Sequence, residues 1–154
     1  SMFNFIDDST LRSVRSKSFN NEFILYTKIN SKLNLDNKVN IDSNFFEANN
    51  EQQNALTQVK NEFKVNYKMS KLFSLQSILQ TFIPDSQNKQ TYNFLGFEAL
   101  YNLEKLNCEI YLRGQNLLNY KTFSSVLVSD FAVSSFSYKL QERNILLGLR
   151  LKIF

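Results

Sequence analysis

The sequence contains no histidine and no tryptophan, and only one cysteine, one proline and three glycines in 154 residues. Without histidine, the commonest general base and the commonest metal ligand are both missing. Cys108 can form no internal disulfide and has no histidine partner for a nucleophilic dyad, so it reads as a small apolar side chain. The glycines, Gly96, Gly114 and Gly148, form no phosphate-binding loop or dinucleotide fingerprint, and one cysteine cannot build a paired-cysteine zinc site. No catalytic, cofactor-binding or metal-binding residue is therefore assigned, and an ordinary soluble enzyme is disfavoured. No apolar run reaches the length of a membrane-spanning helix. Strong charge of one sign is also missing: 18 basic against 14 acidic residues give +4, and the bases are spread along the chain. The densest basic stretch, RSVRSK from Arg12 to Lys17, is more often a solvated strand or loop than a nucleic-acid patch, and no nucleic-acid partner is expected.

What the chain has in quantity is apolar and aromatic residues: 43% hydrophobic, with 15 Phe and 7 Tyr. That composition belongs to a folded chain rather than a disordered one. The opening Ser1-Met2 reads as a cloning remnant ahead of a piece of something longer, so the lack of a signal peptide says little.

The recurring signal is period-two alternation, the mark of strands with two unlike faces. In VKNEFKVNYKM, Val59, Phe63, Val65, Tyr67 and Met69 share one face, interrupted only by Asn61. Lys60, Glu62, Lys64, Asn66 and Lys68 share the other. Leu106, Cys108, Ile110 and Leu112 oppose Asn107, Glu109, Tyr111, Arg113 and Gln115, and Val39, Ile41 and Phe45 oppose Lys38, Asn40, Asp42 and Asn44. Weaker alternations occupy Glu22 to Leu33, Phe73 to Ile83 and Tyr92 to Tyr101. Short turns are expected at Asn34 to Asn37, Ser70 to Lys71 and Asn102 to Lys105. Longer polar loops are expected at Asn49 to Asn54 and Pro84 to Gln90, with a further turn near Asp130.

The fold class is thus all-β: an antiparallel up-and-down meander of about seven or eight long strands. Residues 1–21 are read as a leading partial strand or loop, and residues 22–154 as the β-barrel segment. Alternating short turns and long loops, with strands near the roughly 9–11 residues that cross a bilayer, suit a transmembrane barrel, either a segment of one or a small closed one. A soluble barrel or sandwich with one wet face, binding an apolar ligand inside, shows the same alternation.

The C-terminal third carries a more specific pattern. An alternating strand runs into Asn116, Leu117, Leu118, Asn119 and Tyr120. A Ser-rich stretch leads to Arg143, and the chain ends in a strand with Gly148 and a terminal Phe154. This arrangement resembles the C-terminal hairpin of TonB-dependent outer-membrane receptors, in particular barrels of the Bacteroidetes type. The upstream FLGFEALYNL (Phe94 to Leu103) is similar to the preceding strand of that family; the motif resemblance covers about the last 60 residues. It implies a bacterial outer-membrane location and energised uptake of a large solute such as a metal chelate or glycan. It also implies three partners: membrane lipid, a barrel-assembly machinery that reads the last strand, and a TonB-type energy-transducing protein acting through regions upstream. Barrel-wall residues Lys60, Glu62, Lys64, Glu109, Tyr111 and Arg113 would then face the lumen. One feature departs from the family: Phe154 has the parity of Lys152 and Arg150, not of the apolar Ile145, Leu147, Leu149, Leu151 and Ile153. Either a bulge shifts the register near the end or Phe154 points differently. A self-standing eight-stranded outer-membrane barrel, an anchor or adhesin, is the rival reading.

Overall fold

A computed structural model describes residues 2–7, 10–48, 51–86, 90–128 and 133–151. The described residues form ten strands: β1 (Met2–Asp7), β2 (Thr10–Lys28), β3 (Leu33–Ala48), β4 (Glu51–Lys68), β5 (Phe73–Ile83), β6 (Tyr92–Leu103), β7 (Cys108–Gln115), β8 (Thr122–Val128), β9 (Val133–Lys139) and β10 (Asn144–Leu151). Eight form one antiparallel sheet in the order β1-β2-β3-β4-β5-β6-β7-β10, while β8 and β9 pair as a separate hairpin. The expected all-β antiparallel meander is the observed one. The sheet is open: among the described pairings β10 has only β7 beside it, and β1 pairs β2 only over Thr10–Arg15. Among the described residues the sheet does not close into a small barrel. β2 also runs through the boundary drawn at residue 21.

Local chemistry sets the turns at one rim. Asn30 Oδ1 accepts from the backbone N–H groups of Lys32 and Leu33, at 2.8 and 2.9 Å, turning the chain between β2 and β3. Ser70 Oγ does the same for Leu72 and Phe73, at 3.2 and 3.0 Å, between β4 and β5. These side chains replace ladder partners that a turn cannot supply. Between β6 and β7, a single 3-10 turn, Glu104–Leu106, ends on Asn107 in the left-handed region at φ 47°.

Two expected connections are corrected. Asn34 to Asn37 is strand, not turn, because Leu33 and Leu35 continue the apolar row of β3 while Asp36 accepts from Asn66 Nδ2 at 3.0 Å across the sheet. Of the polar stretch expected as a loop at 49–54, the described residues 51–54 are strand: β3 reaches Ala48 and β4 starts at Glu51, with a register shift between Phe46 and Glu47. Polar residues look like a loop in sequence, but a hairpin that outruns the apolar part of its sheet is wet on both faces and has no reason to alternate. Segments Phe73–Ile83 and 92–101 are strands as expected, and Pro84 begins the loop that precedes β6.

The register gives the sheet two unlike faces. Cross-strand rows such as Leu25-Asn37-Phe63-Leu79-Leu95 and Leu33-Tyr67-Leu75-Ala99-Leu112-Leu147 make one face mainly apolar, crossed by the polar row Asn61-Thr81-Asn93. No protein layer covers it. Leu147 is 75% exposed, and among the described residues the buried apolar core is only Leu56, Tyr92 and Cys108. The chain exposes 11030 Å², where a compact monomer of its 18.1 kDa mass would expose about 8,100 Å². Of that core, Cys108 has the parity of the apolar face, whereas Tyr92 lies on the other side, under the β8–β9 hairpin.

Candidate functional site

The polar face is a ladder of paired charges and amides. Glu62 holds Lys64 at 2.6 Å and accepts from Gln80 Nε2 at 2.8 Å; Lys38 pairs with Glu22; Gln76 Nε2 donates to Asn66 Oδ1 at 2.6 Å. Further along, Arg113 Nε donates to Glu98 Oε2 at 2.6 Å and Arg150 reaches Glu109 at 3.2 Å. The Tyr111 ring lies between the two guanidiniums, 5.6 Å from that of Arg113 and 5.8 Å from that of Arg150. All six residues expected on the polar side, Lys60, Glu62, Lys64, Glu109, Tyr111 and Arg113, share this face by register.

Gly148 explains itself here. It pairs directly with Tyr111, and a Cβ at this position would collide with the tyrosine ring. Gly148→Ala is expected to push Tyr111 out from between its arginines and to destabilise the β7–β10 pair by about 1–3 kcal/mol. Denaturant unfolding of G148A and of G148A/Y111A checks this. In the double variant the penalty of the alanine should vanish.

The Asn116-to-Tyr120 motif forms a clasp where the chain leaves β7. Asn116 and Asn119 both take left-handed backbone, φ 48° and 59°, which asparagine tolerates better than other non-glycine residues. Asn116 Oδ1 accepts from Tyr120 N at 3.1 Å, while its Nδ2 donates to the carbonyls of Tyr120 and Gln141, each at 2.8 Å. Asn119 Oδ1 accepts from Arg143 N at 3.2 Å. The residues singled out by spacing, Asn116, Asn119, Tyr120 and Arg143, are thus brought together, tying the exit from β7 to the entry of β10. Leu117 sits against the Gly114 backbone, Leu118 is half exposed, and Arg143 contributes its backbone N–H rather than its side chain. Phe154 lies outside the described residues.

The two asparagines differ in what they need. Asn116 uses donor and acceptor; Asn119 uses only its acceptor. Asn116→Asp is expected to cost about 2 kcal/mol, because two carbonyls lose their donor and face a carboxylate instead. Asn119→Asp keeps the acceptor and should stay within about 0.5 kcal/mol of the parent. Equal losses in chemical denaturation would contradict the clasp as described.

Over the upper part of the polar face lies an aromatic cluster that the sequence reading missed. Phe82 from β5 stacks on Phe123 from β8 at 5.1 Å. Tyr92 lies 4.9 Å from Phe123 and 5.8 Å from Tyr120, and Phe94 5.7 Å from Tyr120. Phe123 in turn meets Tyr138 of β9 at 5.3 Å. Tyr92 Oη accepts from Ser124 N at 3.0 Å and Gln90 Nε2 at 2.6 Å, which locks the hairpin to the sheet. The signal was present: Phe82, Tyr92 and Phe94 are aromatics at the polar parity, near the end of the strands that carries the longer loops.

Between hairpin and sheet an open groove of about 730 Å³ is lined by Lys38, Gln58, Lys60, Glu62, Gln80, Phe82, Phe94, Phe123, Phe136 and Tyr138. A second hollow of about 570 Å³ continues it past Gln76, Glu98, Arg113 and Gln115. Of the expected lumen residues, Lys60, Glu62 and Arg113 line these spaces, whereas Lys64, Glu109 and Tyr111 do not. Among the described residues no group of three His, Cys, Asp or Glu side chains is placed to hold a metal, and no helix is long and apolar enough to cross a membrane. Comparison with protein-family models, with characterised proteins and with solved structures finds no match.

Proposed function

We propose that this chain is the C-terminal wall of a TonB-dependent-receptor-type outer-membrane barrel. Its apolar face meets lipid, its polar face lines the lumen, and the β8–β9 hairpin is an external loop folded inward. The observation that carries this reading is the uncovered apolar face, continuous across the sheet, in a chain with almost no other core. A face that size is stable in water only if something covers it, and lipid covers it without a second protein layer. Strand length agrees. The 11 residues of β5 span about 35 Å, or about 27 Å along the membrane normal at a barrel tilt near 40°, close to the roughly 25 Å apolar band of such barrels. Tyr67, Phe73 and Tyr101 sit on the apolar face near the tight-turn rim, as an interfacial aromatic girdle would. The clasp from Asn116 to Arg143 supplies the family-specific support. Among the described residues, β10 and β2 from Lys17 to Lys28 each lack a neighbouring strand on one side, which suits a wall segment that continues into further strands. Uptake of a large solute, coupling to an energy-transducing partner and recognition by an assembly machinery follow from that reading.

The test is depth-sensitive labelling. In a Cys108→Ser background, a bimane on Leu79→Cys should be quenched by brominated lipid, and the same label on Gln76→Cys should not. Quenching at neither position, or equally at both, would remove the lipid-facing assignment.

A further inference from the structure

We propose that the groove between the β8–β9 hairpin and the polar face binds a small organic anion with a flat aromatic body, of the aryl-carboxylate class. This rests on the hairpin and sheet alone and does not require the membrane reading.

The first argument is shape. Phe82, Phe123, Tyr138 and Phe136 form an aromatic strip from sheet to hairpin in two nearly flat halves, Phe82 with Phe123 at 28° and Phe136 with Tyr138 at 14° interplanar angle, meeting at 50° between Phe123 and Tyr138. The strip is not used up by the cluster that docks the hairpin. Phe136 and Tyr138 remain 47% and 50% exposed, and both line the groove. A flat ring covers such faces over a large area, and the space of about 730 Å³ lies within the usual range for small-molecule sites.

The second argument is charge. Of the ionisable side chains on the groove wall, Lys38 is neutralised by Glu22, and Glu62 by Lys64 with Gln80 on its other oxygen. Lys60 is different. Its Nζ lies 5.5 Å from the centre of the Phe82 ring, and among the described residues no carboxylate pairs with it. The groove therefore carries one uncompensated positive charge beside an aromatic wall. A cation would meet Lys60 and find Glu62 already satisfied. A neutral sugar would leave the ammonium unmatched. An aryl carboxylate places its ring on the strip and its charge on Lys60.

The experiment uses the chain held in solution by an amphipol, which covers an exposed apolar face whether or not lipid is its natural partner, with amphipol alone as the blank, and reads equilibrium dialysis of naphthalene-2-carboxylate. Naphthalene-2-carboxamide, cyclohexanecarboxylate and maltohexaose are run beside it. The carboxylate should bind about tenfold more tightly than the carboxamide, the size of one partly desolvated charged hydrogen bond. Lys60→Met, which keeps the stem over Phe82, should abolish that preference. Phe136→Ala, an exposed position outside the docking cluster, should weaken both aromatic probes while leaving the circular dichroism unchanged. Equal affinity for carboxylate and carboxamide, an undiminished preference in K60M, tighter binding of cyclohexanecarboxylate, binding of maltohexaose alone, or no binding at all would each overturn the proposal. Loss of the brominated-lipid result would not, so the two readings fail separately.

Discussion

Replacing Leu79 with arginine should destabilise the lipid-inserted chain by about 2–4 kcal/mol, the penalty of a cation near the middle of a lipid-facing barrel strand. Leu79 lies in the middle of β5, flanked by Phe63 and Leu95 on the apolar face, and is 38% exposed. If that face met water, a partly exposed leucine would accept arginine within about 0.5 kcal/mol. The two environments thus predict different magnitudes for one substitution. Gln76→Arg, three residues away on the opposite face, serves as the control. It removes the hydrogen bond to Asn66 and should cost no more than about 1 kcal/mol. Urea unfolding from vesicles, followed by circular dichroism, measures both. Near-equal, small losses would sink the lipid-facing assignment, whereas a large loss confined to L79R would support it.

How far such a result was legible beforehand depends on the residue. Alternation at Val59 to Met69 placed the β4 residues from Val59 to Lys68 on the correct faces, because period two is a direct consequence of the pleat. The limits of β5 were equally legible, set by Ser70 chemistry on one side and Pro84 on the other. The turn assigned to Asn34–Asn37 failed because turn residues are also ordinary polar-face residues, and only the cross-strand partner of Asp36 distinguishes the two. The clasp was legible as a pattern but not as a mechanism. Spacing singled out Asn116, Asn119 and Arg143, yet nothing in sequence says that an amide will bond a backbone carbonyl 25 residues away. The aromatic cluster was hidden for a third reason: it joins β5 and β6 to a hairpin that leaves the meander, a contact that strand rhythm does not encode.

That cluster makes the second large prediction, at Tyr92, the most buried aromatic described, at 5% exposure. Its ring is the point on which Phe94, Tyr120 and Phe123 converge, and its hydroxyl oxygen satisfies the backbone N–H of Ser124 at the start of β8. Tyr92→Ala removes both and should cost about 3–5 kcal/mol. Tyr92→Phe keeps the packing but takes the acceptor from the Ser124 N–H and from the exposed Gln90 amide, which can turn to water, so about 1–2 kcal/mol is expected. The loss should be local. β8 and β9 form their own two-stranded sheet, and an isolated hairpin is marginal in water, so undocking it should melt it. β5 and β6 keep their full ladder with neighbours on both sides. Hydrogen exchange should therefore show 122–128 and 133–139 unprotected in Y92A while 73–83 stays protected. If β5 loses protection in step, hairpin and sheet are one cooperative unit and the aromatic cluster is a core for both. If only the hairpin opens, the groove opens with it. Y92A should then lose naphthalene-2-carboxylate although Lys60, Phe82 and the sheet beneath them are untouched.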